Sequence, residues 1–133
     1  MFCLDTNIWS YLLRRPNESL VRHLKACHAS DICLTEIIRA ELLYGALRSS
    51  RAESLKNQIK QMLAPYKSIP FDRVAADHYA EIRVYLERAG TPISPNDLII
   101  AATARAAGAT LITANLREFS RIPELRCADW TAN

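Results

Sequence analysis

The sequence predicts an α/β domain: short strands in a mostly parallel sheet, with helices on both faces. Three observations predict it. Short apolar runs alternate along the chain with longer segments of helical periodicity, the order of a parallel sheet joined by crossover helices. The strand-like runs are apolar at successive positions, as strands covered on both sides should be. The chain has 133 residues, half of them apolar and 23% charged, which predicts one packed domain over 1–133. Three glycines, no repeat and no low-complexity run leave no sign of a flexible linker.

Taken in order, Met1 to Leu4 is an apolar strand that stops at Asp5-Thr6-Asn7. Thr6 to Arg14 has helical spacing and is broken by Arg15-Pro16-Asn17. Glu18 to Ala26 is a more polar helix with Leu20, Val21 and Leu24 on one side. Asp31 to Thr35 is a second strand. Glu36 to Leu47 is apolar nearly all round, through Ile37, Ile38, Leu42, Leu43, Tyr44 and Leu47, which predicts a buried helix. Ala52 to Leu63 is one-sided, with Leu55, Ile59, Met62 and Leu63 on its stripe.

Pro65 to Pro70 is a brief strand at best. Asp72 opens a long helix to Ala89, with Ala75, Tyr79, Ile82 and Leu86 on a core stripe and Gly90 as its stop. Ser94-Pro95 places a cap and a first-turn proline before the apolar helix to Ala107, which Gly108 ends. Thr110 to Thr113 is a strand, Asn115 to Ser120 a short helix and Leu125 to Ala128 a last strand.

Several function classes fall away. No glycine-rich dinucleotide fingerprint or P-loop is present. No apolar run approaches the ~18 residues of a membrane span. The N-terminal stretch has no basic segment leading a long apolar one, so a cytoplasmic location is expected. Cys3, Cys27, Cys33 and Cys127 fit no metal-binding spacing and read as reduced thiols. His23, His28 and His78 read as surface residues.

Four carboxylates stand out against their surroundings. Asp5 ends the first strand, Glu41 sits in the apolar helix, Asp97 begins another apolar helix, and Glu118 follows the Thr110 to Thr113 strand. Each has a plain structural reading. Asp5 can cap a helix, Asp97 and Glu118 can each complete a capping box, and Glu41 can pair with Arg48. In a doubly wound sheet, however, strand ends and helix starts gather at one edge. Each close carboxylate pair there costs roughly 4 kcal/mol at about 4 Å and an effective dielectric of 20. Such a cluster must hold protons or a cation, and an all-oxygen set suits Mg²⁺ or Mn²⁺.

A hard cation beside a basic surface points to hydrolysis of a nucleic-acid phosphodiester. Net charge is +3; with the four acids set aside, 17 basic side chains face 10 acidic ones. Arg14, Arg15, Arg48, Arg51, Lys56 and Arg117 form a possible track for RNA, although each is equally at home on a solvated surface. Trp9 and Tyr11 could stack on bases, but the spacing of Trp9 favours the core. A non-catalytic RNA- or protein-binding module remains the alternative. A phosphatase using Asp5 as nucleophile is disfavoured, because that chemistry wants a second Asp where Asn7 stands.

Four stretches in order carry a resemblance: Leu4-Asp5-Thr6-Asn7, Glu41-Leu42-Leu43-Tyr44-Gly45, Pro92-Ile93-Ser94-Pro95-Asn96-Asp97 and Thr113-Ala114-Asn115-Leu116-Arg117-Glu118-Phe119. With Arg126-Cys127-Ala128-Asp129-Trp130, the chain resembles the VapC toxins of the PIN-domain ribonucleases over essentially its whole length. The resemblance implies a three-layer α/β/α sandwich. It also implies a cytoplasmic toxin that cleaves RNA with Mg²⁺ or Mn²⁺, a homodimer, and neutralisation by a VapB-type antitoxin. On this basis Asp5, Glu41 and Asp97 are the expected metal-binding and catalytic acids. Thr6 and Asn7 are expected to support Asp5 by hydrogen bonds, and Thr113 to line the site. Asn115 stands where many PIN domains have Asp, so either Asn115 or Glu118 fills the fourth position. The helices Ile37 to Leu47 and Ala52 to Leu63 could form a groove for an amphipathic antitoxin segment, and a basic antitoxin side chain in the acidic site would supply the missing countercharge.

Overall fold

The structure is a computed structural model in which residues 1–132 are described. Strand β1 (Phe2–Leu4) leads into α1 (Thr6–Arg14) and α2 (Glu18–Lys25). A single 3-10 turn, Ala29–Asp31, precedes β2 (Ile32–Leu34), which is followed by α3 (Glu36–Leu47), α4 (Ala52–Leu63) and β3 (Lys67–Ser68). Then come α5 (Arg73–Arg88), α6 (Pro95–Ala106), β4 (Thr110–Ile112), α7 (Leu116–Phe119) and β5 (Cys127–Ala128).

The five strands lie in the order β3-β2-β1-β4-β5, and every pairing is parallel. Cys3, Leu4, Cys33, Leu34, Leu111 and Ile112 are all buried. Successive strand residues point to opposite faces, so both faces of the sheet are covered. The expected three layers follow from that. Chain direction across the sheet reverses at β1, which has β2 on one side and β4 on the other. Its two ladders pair Cys3 with Cys33 and Leu4 with Ile112. Crevices for ligands open at such a reversal, beyond the strands' carboxyl ends.

The helices start and stop where local chemistry dictates. Asn17 Oδ1 accepts from Leu20 N at 2.9 Å and Asp72 Oδ1 from Ala75 N at 3.0 Å. Ser94 Oγ accepts from Asp97 N at 3.2 Å, with Pro95 in the first turn. Both α5 and α6 end in a glycine of positive φ, Gly90 at 73° and Gly108 at 68°. After each, a backbone N–H reaches back: Thr91 N to Leu86 O and Ala109 N to Ala104 O, both at 2.9 Å. Satisfying the last carbonyls in this way requires the left-handed residue that glycine supplies.

Three expectations need correction. Helix α3 is not buried all round: Ile38, Leu42 and Ala46 face the core, but Tyr44 and Leu47 are 62% and 61% exposed. Apolar content alone cannot tell a core face from a face left open. His78 is half-buried, not a plain surface residue, and its Nδ1 accepts from Arg105 Nε at 2.8 Å. The Arg105 guanidinium also donates to Pro123 O at 3.0 Å and to Glu81 Oε1 at 2.8 Å, joining α5, α6 and the segment before β5. The third concerns the last strand, since β5 is two residues long and not the four from Leu125 to Ala128; β3 is brief, as expected. As expected, the four cysteines are free thiols and Trp9 is fully buried, its ring 5.1 Å from that of Tyr66.

The α5 stripe gives a direct test of this packing. Ile82 is 1% exposed and Tyr85, three residues on, is 50% exposed. Truncating Ile82 to Ala should destabilise the fold by about 2–5 kcal/mol, through lost burial plus a cavity. Tyr85→Ala should change stability by less than about 0.5 kcal/mol in the same denaturant titration.

Candidate active site

Asp5 is fixed by the sheet on one side and by α1 on the other. Its backbone N–H donates to Ile112 O at 3.0 Å, in line with the β1–β4 ladder. Its Oδ1 accepts from Ile8 N at 3.0 Å, so Asp5 is the helix cap that its position suggests. It is also buried, at 6% exposed. Burial pushes its pKa up. The Thr113 hydroxyl and the Ile8 N–H act against that, while Glu41 and Asp129 add to it. Thr113 is fully buried at the end of β4, and its Oγ1 accepts from Asn115 N at 2.9 Å. The two central strands thus deliver Asp5 and Thr113 side by side.

Glu41 reaches this edge from α3. Thr6 Oγ1 donates to its Oε1 at 2.5 Å and Asn96 Nδ2 to its Oε2 at 3.3 Å. Both carboxylate oxygens are therefore held, one from α1 and one from α6. This corrects the expectation for Thr6, which supports Glu41 rather than Asp5. Asn7 is exposed and lines the cleft, and no side-chain hydrogen bond joins it to Asp5 among the described residues. Arg48 does not pair with Glu41 either; its guanidinium carbon lies 5.1 Å from the Tyr44 ring centre.

Asp97, in the first turn of α6, has its pKa pushed up to about 6. Burial is the main cause. The Ser94 hydroxyl opposes it, and the charges of Glu118 and Glu41 reinforce it. Glu118 Oε2 accepts from Asn115 Nδ2 at 3.0 Å, so the two residues expected to compete for the fourth position are one hydrogen-bonded pair. Asn115 makes no capping hydrogen bond, which removes the capping-box reading of Glu118.

Asp5 is thus influenced by Glu41, and Asp97 by Glu118 and Glu41, and no cationic side chain forms an ion pair with any of the four among the described residues. The ion pairs there are Glu36 with Arg39, Glu87 with Arg83 and Glu81 with Arg105. Nor do three His, Cys, Asp or Glu side chains converge closely enough there to cage an ion by themselves. This donor set fits Mg²⁺, which keeps several waters and takes only one or two protein carboxylates. Asp5, Glu41 and Asp97 are the acids able to supply them.

Beside Glu41 a cleft of about 190 Å³ runs between α1, α3 and α4. Asn7, Ser10, Arg14, Gly45 and Arg48 line it. Of the expected RNA track, Arg14 and Arg48 therefore share a cleft with Glu41. Arg15, Arg51 and Arg117 are exposed but do not line the cleft, and neither does the half-buried Lys56.

Two residues of the site went unnoticed in the sequence. Asn96, whose side chain ties α6 to Glu41, carries no hydropathy signal. Asp129 follows β5 as Asp5 follows β1, so the rule that singled out Asp5 could have found it. Its Oδ1 is occupied by Thr131, accepting from N at 2.8 Å and from Oγ1 at 2.5 Å.

Comparison with known proteins identifies the fold. It is that of a PIN domain, and the family model described as PIN domain matches residues 2–125. A tRNA(fMet)-specific endonuclease VapC of Salmonella typhimurium is 36% identical over 97% of each chain. Ribonuclease VapC2 of Haemophilus influenzae is 38% identical over 97% of each. Among solved structures, DNA-bound VapBC from Salmonella typhimurium superposes with a TM-score of 0.91 at 34% identity, covering 97% of each chain. VapBC2 from Rickettsia felis, bound to a promoter DNA fragment, gives 0.90 at 35% identity, covering 97% of this chain and 98% of that one. The chain belongs to the PIN-domain family and, within it, to the VapC ribonucleases.

The raised Asp97 pKa makes a stability prediction. A carboxyl whose folded pKa, about 6, exceeds the ordinary aspartate value of 3.8 binds its proton more tightly when folded. Its contribution therefore falls as pH rises from about 4 to 6 and stays unfavourable above that. Asp97→Asn should raise the metal-free melting temperature at pH 7.5, and the gain should vanish at pH 4. A melting temperature unchanged at pH 7.5 would mean that Asp97 carries no such penalty.

Proposed function

We propose that this protein is a metal-dependent endoribonuclease that hydrolyses RNA phosphodiesters and acts as the toxin of a toxin–antitoxin pair in the cytoplasm. One observation carries the reading. Asp5, Glu41, Asp97 and Glu118 stand along the switch-point edge of the sheet with no ion pair from the described residues, and Asp97 is raised to about 6. A site of that kind awaits a cation. When bound, Mg²⁺ or Mn²⁺ would supply charge stabilisation at the phosphodiester and an activated water.

The chain's own residues have distinct tasks in this reading. Asp5 and Asp97 hold the ion from the central strand and from α6. Glu41, clamped by Thr6 and Asn96, completes the acidic wall. Thr113 fixes Asp5 from behind, and the Asn115–Glu118 pair closes the far side. Arg14 and Arg48 bind phosphates of the strand that lies in the cleft.

A structured RNA is the substrate class. Initiator tRNA is the first to test, because a relative named as specific for it aligns along nearly the whole chain. The partner is a VapB-type antitoxin, which the VapBC complexes of similar fold support. A basic antitoxin side chain entering the site would replace the cation. The working unit is a homodimer.

The test is cleavage of structured RNA by the purified protein, with Mg²⁺ or with EDTA. Cleavage should require the metal. It should fall by about 100-fold or more in Asp5→Asn and in Asp97→Asn, the scale of losing a group that stabilises reacting charge. Cleavage that persists in both variants would overturn the site assignment. RNA binding without cleavage under Mg²⁺ and Mn²⁺ would favour a non-catalytic module.

A further inference from the structure

Tyr44 is out of place for the fold alone. It is 62% exposed, although the helix around it is largely apolar. Its ring is also held. The Arg48 guanidinium lies 5.1 Å from the ring centre, and Arg48 Nη1 stands 3.4 Å from the Tyr44 hydroxyl oxygen. Glu41, Tyr44, Gly45 and Arg48 share one side of α3, since residues three and four apart are neighbours on a helix.

Gly45 is the second anomaly. It lies in the interior of α3, where glycine is less favourable than alanine. Nothing in the fold asks for it. A Cβ built there would meet no atom within 4 Å, and the backbone is ordinary helix. Gly45 lines the cleft together with Asn7, Ser10, Arg14 and Arg48, so the missing side chain leaves that wall open. Charge decides the occupant. Two guanidiniums, Arg14 and Arg48, line the cleft, and Glu41 joins it to the proposed cleavage site, which suits a chain of phosphates.

We infer that Tyr44, oriented by Arg48, is a stacking platform for an unpaired base of the RNA, and that Gly45 is where the strand passes closest to α3. This rests on the ribonuclease reading above and adds a subsite to it. An exposed aromatic ring offers its face to any base, and an adjacent guanidinium strengthens such a site.

The test uses the full chain carrying Asp97→Asn, so that RNA is bound and not cut, in Mg²⁺. The probe is a single-stranded RNA with 2-aminopurine at one position, moved along the strand. At the stacked position its fluorescence should be quenched, and Tyr44→Ala should remove the quenching and weaken binding about 5- to 150-fold. Tyr44→Phe should retain both. Gly45→Ala should raise the melting temperature while weakening RNA binding, opposite signs that a merely structural glycine does not produce.

Full affinity and quenching in Tyr44→Ala, or full affinity in Gly45→Ala, would overturn the inference while leaving a wild-type cleavage assay intact. Variants that keep RNA affinity but lose binding to a VapB-type antitoxin would assign this face to a protein and also overturn it. A wild-type protein that neither binds nor cleaves RNA would instead bring down the ribonuclease reading itself.

Discussion

The pairing of β1 with β4 is the constraint on which the rest depends. It sets Leu4 against Ile112 and draws Asp5 N onto Ile112 O, so the residues after the two strands emerge together. Asp5 and Thr113 owe their proximity to that ladder and not to any affinity of their own. Helix α3 then adds Glu41 and helix α6 adds Asp97, each from an element packed on the same sheet. The site is thus an assembly of strand ends and helix starts, rigid because the elements beneath it are rigid.

Those acids work against the fold that holds them. Burial disfavours the ionised forms of Asp5 and Asp97, and neighbouring carboxylates add repulsion. The structure offsets this with directed donors. Ile8 N–H faces Asp5, the Thr6 hydroxyl and the Asn96 amide face Glu41, and the Ser94 hydroxyl favours the ionised Asp97 carboxyl. None of these donors is a cation. The arrangement therefore orients the carboxylates without neutralising them, which is what a site reserved for an external positive charge needs.

Much of this was legible in the sequence, for reasons that can be stated. Helices α1 and α4 declared themselves because their apolar residues recur at helical spacing and their ends carry strong signals, such as Pro16 after α1. The four acids were legible because charge is conspicuous in apolar surroundings. What failed was any property that depends on a distant neighbour. The partner of Thr6 lies 35 residues away, and that of Asn96 lies 55 away. The outward turn of Tyr44 failed for another reason: its composition matches a core position, and only packing reveals that nothing in the described chain covers it. Two-residue strands such as β3 have too few positions to show any period.

Helix α6 has a mechanical consequence. Its first turn carries Asp97, and its last turn carries Arg105, whose guanidinium is tied to His78, Glu81 and Pro123. The two residues are eight apart, about 12 Å along the axis. The helix is thus tied at both ends, through Asn96 to Glu41 at its first turn and through Arg105 at its last. The polar knot around Arg105 touches none of the site's acids, yet it braces the helix that carries Asp97.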